Sequence, residues 1–324
     1  MAAFISAELL RELTPWPELI DAIAAAFRAP CTAPPRLHYD IPVAGSESGT
    51  LLLMPAWSPG EMLGVKIAQV FPGNARVGAP AVHGLYMLAS AADGHVQAIL
   101  DAQELTARRT AAASALASRF LSRPDSRRLL IMGTGRLALN MAAAHATVRP
   151  IRHVAIWGRS PDKAQAVAAR IRTELGIDAG SVDDLPAAIG QADIISTVTT
   201  SARPILEGRL LRPGTHVDLV GGFTPQMREA DDDVLHSARV YVDTMAAAPK
   251  EAGDLSDPIA RGVLRAADLK GDLLQLCQGS ATPSHTPNQT TVFKSVGVAL
   301  EDLAAATLAW KALQSREGAR GARA

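Results

Sequence analysis

The sequence predicts an α/β protein: a parallel sheet with helices on both faces, joined to an α+β unit. Three observations predict it. Between residues 128 and 243, short apolar runs alternate with helical stretches, the pattern of strands linked by crossover helices. The run at 128–132 enters a Gly-x-Gly-x-x-Ala turn at Gly133, Gly135 and Ala138, and a helical pattern follows. Earlier, Asp93-Gly94 stands between two apolar runs, a strong signal for an antiparallel hairpin.

The whole chain sets bounds. Its 324 residues favour two domains, and 48% hydrophobic content is enough for large cores. Basic and acidic residues number 32 each, so nothing points to a nucleic-acid or membrane-surface partner. Two cysteines, Cys31 and Cys277, form no Cys-x-x-Cys pair, and no His/Cys cluster has metal-ligand spacing. No signal-type leader and no apolar run long enough for a membrane span is visible, so the expected location is the cytoplasm.

In chain order, residues 4–28 read as helical, with Ser6 as a cap and Pro15 and Pro17 as punctuation. Residues 30–45 are Pro-rich and carry Arg36. Strand-like segments follow at 50–55, 62–70, 84–88 and 96–100, then one Ala-rich helix over 102–122. Strands are expected at 128–132, 153–157, 193–198, 216–220 and 240–243. Ser160 and Pro161 open a helix at 161–175. After 290–297 a last helix returns to the first domain. The parallel-sheet domain is then an insertion, 113–285, within a domain made of 1–112 and 286–324. The Arg-rich stretch beyond Gln314 is expected to fray.

The glycine turn carries chemistry. Gly133 permits the tight turn, and Gly135, without a Cβ, lets a pyrophosphate approach the backbone. Thr134, Arg136 and Leu137 complete the turn and the first helical residues, whose orphan N–H groups suit phosphate. The second strand then begins where a Rossmann-type unit needs it. A carboxylate at its end would bind the ribose diol of NAD. This chain has Gly158-Arg159-Ser160 there, a guanidinium and a hydroxyl suited to a 2′-phosphate. The cofactor expected is NADP(H), with NAD(H) as the alternative. Thr197, Val198 and Thr199 follow the third strand, at the sheet edge where ligands of open α/β sheets sit.

In the first half, Arg36, Lys66 and Arg109 stand out. On period two, Lys66 shares a strand face with the small residues Gly64 and Ala68. That face admits a cation aimed into a cavity, or an ordinary strand lysine reaching for water. By pattern alone Arg108-Arg109 is a solvated pair. His83 and Asp302 are further candidates to line a pocket.

The chain resembles the ornithine cyclodeaminase/μ-crystallin family over nearly its whole length. The matching signatures are Gly64-Val65-Lys66-Ile67, Phe71-Pro72-Gly73-Asn74, Leu100-Asp101-Ala102 leading to Arg108-Arg109-Thr110, Gly133-Thr134-Gly135, Pro213-Gly214-Thr215-His216, and the run from Phe293-Lys294-Ser295 to Glu301-Asp302. The resemblance implies a homodimer in which Arg36, Lys66 and Arg109 meet a small cyclic imino acid or amino acid. Cyclodeaminases of the family carry an acid after the Gly-Gly that ends the fourth parallel strand. Here Gly221-Gly222 is followed by Phe223, and the Phe-Thr-Pro-x-Met-Arg-Glu run looks like that of imine-reducing members. The expected activity is therefore NADPH-dependent reduction of Δ1-pyrroline-2-carboxylate or Δ1-piperideine-2-carboxylate to L-proline or L-pipecolate, with Lys66 and Arg109 catalytic and Phe223 lining the substrate. Alternatives on the same scaffold are an alanine or N-alkylamino-acid dehydrogenase, a true cyclodeaminase, or a μ-crystallin-like binding protein.

Overall fold

The structure, a computed structural model, describes residues 2–236, 238–283, 286 and 288–321. The chain divides into two compact units, Met1–Thr110 with Val298–Ala324, and Ala111–Gly297.

The first unit begins with β1 (Ala3–Ile5), α1 (Ala7–Leu13), α2 (Trp16–Arg28) and β2 (Leu37–Ile41). It continues with β3 (Gly49–Trp57), β4 (Met62–Val70), β5 (Val82–Ser90), β6 (Val96–Asp101) and α3 (Ala102–Leu121), whose last residues belong to the second unit. One six-stranded sheet runs β1-β6-β5-β4-β3-β2. All its pairs are antiparallel except β1 with β6. Residues 3–5 are thus a strand, not the start of a helix: Phe4 and Ile5 pair with Ile99 and Leu100, a partner too distant in sequence for local pattern to reveal. Ser6 does cap α1, its hydroxyl accepting the Leu9 N–H at 3.3 Å. The expected hairpin is present, with Gly94 at φ 76° between β5 and β6.

The second unit contains β7 (Arg128–Met132), α4 (Arg136–Val148), β8 (His153–Trp157), α5 (Pro161–Leu175), β9 (Asp178–Ser181) and α6 (Leu185–Gln191). Next come β10 (Ile194–Thr197), β11 (His216–Leu219), α7 (Asp232–His236), β12 (Ala238–Val242), α8 (Ala248–Glu251), α9 (Gly253–Ala260), α10 (Leu273–Gln278) and β13 (Thr290–Lys294). Its sheet is wholly parallel, in the order β12-β13-β11-β10-β7-β8-β9. This is a Rossmann-type α/β sheet. The chain reverses direction across the sheet between β7 and β10, so the ligand crevice of such folds falls at the carboxyl ends of these two strands.

Four strands escaped the sequence reading: β1, read as helix, β2, inside the Pro-rich stretch 30–45, β9 and β13. β9 reads Asp-Ala-Gly-Ser and has no apolar signature. β13 is apolar but lies far along the chain, and it inserts between β11 and β12. It moves the boundary expected at 285/286 to the residues after Gly297.

α11 (Ala299–Gly321) closes the chain in the first unit and packs on α2, β3 and β4. It continues as helix past Gln314, where Arg316 Nη1 lies 3.0 Å from Glu12 Oε2. Residues 322–324 lie outside the described part. Among the described residues, no helix is long and apolar enough to cross a membrane. None of their His, Cys, Asp and Glu side chains cluster in threes fit to hold a metal ion.

Candidate functional site

In the first unit, β4 places Lys66 on the buried face of the sheet, between Met54 of β3 and Tyr86 of β5. α3 brings Arg109 and α11 brings Glu301 and Asp302 to the same spot. Lys66 Nζ lies 2.7 Å from Asp302 Oδ2. Arg109 Nε lies 3.0 Å from Asp302 Oδ1, and its Nη1 lies 2.7 Å from Glu301 Oε2. All four side chains are buried. Lys66, with only 4% of its surface exposed, is therefore not a lysine reaching for water. One of its three N–H donors goes to Asp302; no described acceptor takes the other two. Burial, with the charges of Arg109 and Arg36 adding to it, pulls the Lys66 ammonium down to about 8 against the pull of Asp302. Asp302 titrates below the usual carboxylate range, because Arg109 and Lys66 outweigh the effect of burial.

Arg36, just before β2 and half-buried, is thus close enough for its charge to act on Lys66. Gly64 is small for a different reason than a cavity: a Cβ there would run into the Tyr86 hydroxyl. That hydroxyl is buried without a described partner, and burial and the Asp302 charge push its pKa well up. His83 is exposed and, three residues from Tyr86, sits on the opposite face of β5; its Nε2 bonds the Pro80 carbonyl at 3.0 Å. Arg108 is not solvated either. It donates to the Thr14 hydroxyl at 2.7 Å and stacks 4.2 Å over the Trp16 ring.

In the second unit, the glycine turn follows β7. Gly133 has φ 137°, and a Cβ there would meet the Val198 carbonyl at 2.8 Å. Gly135 is the N-cap of α4 and faces open space. Ala138 is fully buried, so α4 lies close to the sheet. A cleft of about 580 Å³ opens at this edge, bordered by residues 133–135, 157–159 and 198–203, together with Ile205. Thr134, Arg159, Val198 and Thr199 line it. Arg136 is exposed and Leu137 half-buried in the first turn of α4, beyond the lining. Ser160 caps α5, accepting the Lys163 N–H at 3.4 Å. Thr197 is fully buried, is not among the residues bordering the cleft, and donates its hydroxyl to Glu229 Oε2 at 2.9 Å. Phe223, on the loop after β11, is 42% exposed.

Glu229 was missed by sequence reasoning. Its carboxylate accepts from the Thr199 N–H and hydroxyl, both at 2.7 Å, and from the Gly221 and Gly222 N–H groups at 2.7 and 3.2 Å. It therefore ties the loops after β10 and β11 together. Asp254 Oδ1 accepts the Glu229 N–H at 2.7 Å, and its Oδ2 lies 3.1 Å from Lys294 Nζ at the end of β13. Burial and the nearby Asp254 push the Glu229 carboxyl up, with Lys294 working against them. Glu229 closes the run that begins at Phe223, but nothing in its spacing marks it as buried.

A model of the ornithine cyclodeaminase/mu-crystallin family matches residues 3–317. The chain is 41% identical over 260 residues to a Delta(1)-pyrroline-2-carboxylate reductase of Paracoccus denitrificans, covering 80% of this chain and 82% of that one. Among solved structures it is similar to Delta(1)-pyrroline-2-carboxylate reductase of Thermococcus litoralis in complex with NADH and L-proline. That match has a TM-score of 0.90 and 28% identity and covers 97% and 98% of the two chains. An archaeal alanine dehydrogenase dimer with bound NAD gives a TM-score of 0.89 at 26% identity, over 98% and 97%. The chain belongs to the ornithine cyclodeaminase/mu-crystallin family.

Proposed function

We propose that this protein is a ketimine reductase, converting Δ1-pyrroline-2-carboxylate and Δ1-piperideine-2-carboxylate to L-proline and L-pipecolate with NAD(P)H. The observation that carries the reading is the buried Lys66 with two uncommitted N–H donors, beside Arg109 and within reach of the Arg36 charge. Three cations around one spot suit a substrate carboxylate. The relatives named for this reaction, one of them bound to NADH and L-proline, support it.

The residues present fit a dinucleotide. The open backbone at Gly135, the N–H groups of the 13-residue α4 and the long cleft are the cradle for its phosphates. When bound, the reduced nicotinamide supplies a hydride, which adds to the carbon of the C=N bond. Arg36 and Arg109 hold the carboxylate. Lys66 orients the substrate and carries a proton that it gives up at lower pH than an ordinary lysine. Phe223 stands where cyclodeaminases of the family carry an acid, and it offers no base, which disfavours ammonia elimination from ornithine. Loss of the reduced-nicotinamide absorbance with each cyclic imine, but no ammonia from L-ornithine with NAD, is the expected result. Ammonia release without imine reduction would reverse the choice.

We also propose a homodimer through the face of the six-stranded sheet opposite Lys66. Leu37, Leu53, Ile67 and Leu85 stand in register across β2 to β5. Leu37 and Leu85 are 47% and 40% exposed in the single chain. A contiguous apolar face of this breadth is normally covered, and the archaeal relative is a dimer. Sedimentation equilibrium is expected to give twice the chain mass, and Leu53→Glu to give a monomer. A monomeric wild type would remove the proposal.

A further inference from the structure

The cleft beside the glycine turn has an unusual lining: two cations, Arg159 and Arg203, four hydroxyl side chains, and no carboxylate. A ribose diol needs an acceptor, and the cleft offers no acid to supply one. A ribose 2′-phosphate carries a charge of about −1.5 to −2 at neutral pH, so a single guanidinium leaves it under-compensated. The fold supplies a second. Arg159 follows β8 and Arg203 lies on the loop after β10. These strands are the two sheet neighbours of β7, so the two arginines flank the glycine turn from either side. Neither guanidinium is engaged by a described hydrogen bond or ion pair. The backbone that carries Arg203 is fixed nonetheless. The Ser201 hydroxyl donates to the Arg203 carbonyl at 2.7 Å and accepts the Arg203 N–H at 3.3 Å. The Ser201 carbonyl in turn accepts the Arg228 N–H at 2.8 Å.

We infer that Arg203 is a second specificity determinant for the phosphorylated dinucleotide, pairing with Arg159 on the 2′-phosphate. This rests on the reading of the cleft as a dinucleotide site. The test uses the full-length protein and two fragments that differ by the phosphate in question, adenosine 2′,5′-bisphosphate and 5′-AMP, titrated calorimetrically. Arg203→Gln is expected to weaken the bisphosphate roughly tenfold, the lower end of what a charge-assisted contact contributes at an exposed site, and to leave 5′-AMP unchanged. Raised salt is expected to shrink the difference between wild type and variant. Equal weakening of both ligands would assign Arg203 to the part they share, the adenosine and its 5′-phosphate, and overturn the inference, as would no change in either. Failure of both fragments to bind the wild type would instead remove the dinucleotide reading itself. Unliganded Arg203→Gln is expected to unfold at the wild-type temperature, because the substituted side chain is exposed.

Discussion

Lys66→Met is expected to lower kcat/KM for the cyclic imine by about 10²- to 10⁴-fold, the range for loss of a positioned proton-carrying group, with nucleotide affinity unchanged. Two effects on stability oppose each other in this variant. Asp302 loses one of its two cationic partners, but keeps Arg109 at 3.0 Å. At the same time the desolvation of a buried ammonium disappears. The fold is therefore expected to survive, and circular dichroism checks it. Lys66→Arg supplies a second reading, because it restores a buried cation without a titratable proton.

The wild-type pH profile follows from the same residue. Its ammonium sits near 8 rather than the 10.5 of an ordinary lysine. The protonated form thus prevails at neutral pH and is lost as pH rises through about 8, so kcat/KM is expected to fall above that point. A bound carboxylate favours the ammonium, so the limb in kcat is expected at higher pH than the limb in kcat/KM. In Lys66→Arg the falling limb is expected to vanish. A Lys66→Met enzyme with full turnover, or a wild-type profile flat to pH 10, would assign the proton to another group.

Why Lys66 was legible and its surroundings were not is a matter of range. The strand alternation placed Lys66 on a face with Gly64, and local pattern goes no further. The Asp302 contact spans 236 residues and the Arg109 contacts 192 and 193. The family resemblance, not the periodicity, brought the cations together in advance. The glycine turn was legible because its strand, its turn and its helix are contiguous, and φ 137° at Gly133 is a local demand. β13 was not, because its neighbours β11 and β12 precede it by a long excursion. Thr197 shows how far along the chain a hydroxyl's partner can lie. A hydroxyl at the carboxyl edge of a sheet invites a ligand, but this one points at a buried carboxylate supplied 32 residues later.

That carboxylate gives the second large effect. Glu229→Ala is expected to destabilise the protein by about 3–5 kcal/mol, the cost of breaking a buried polar network. Five donors converge on Glu229: the Thr197 hydroxyl, the Thr199 N–H and hydroxyl, and the Gly221 and Gly222 N–H groups. Truncation leaves the backbone donors buried beside a void that Asp254 and Lys294 do not fill. Unpaired donors of this kind cost about 1–3 kcal/mol each where water cannot reach them. The neighbourhood is too tight to close over the gap, since a Cβ at Gly221 would already meet the Thr199 backbone. Glu229→Gln separates hydrogen bonding from packing. It keeps the volume, but replaces one accepting oxygen with an NH₂ group facing N–H donors, so it is expected to recover less than half of the loss. Because Thr199 lines the cleft, both variants are also expected to weaken nucleotide binding at temperatures where they remain folded. Urea denaturation of the wild type and both variants measures the first effect, and calorimetry with the dinucleotide measures the second. If Glu229→Gln matched the wild type in both, the loops after β10 and β11 would owe their positions to packing rather than to this carboxylate.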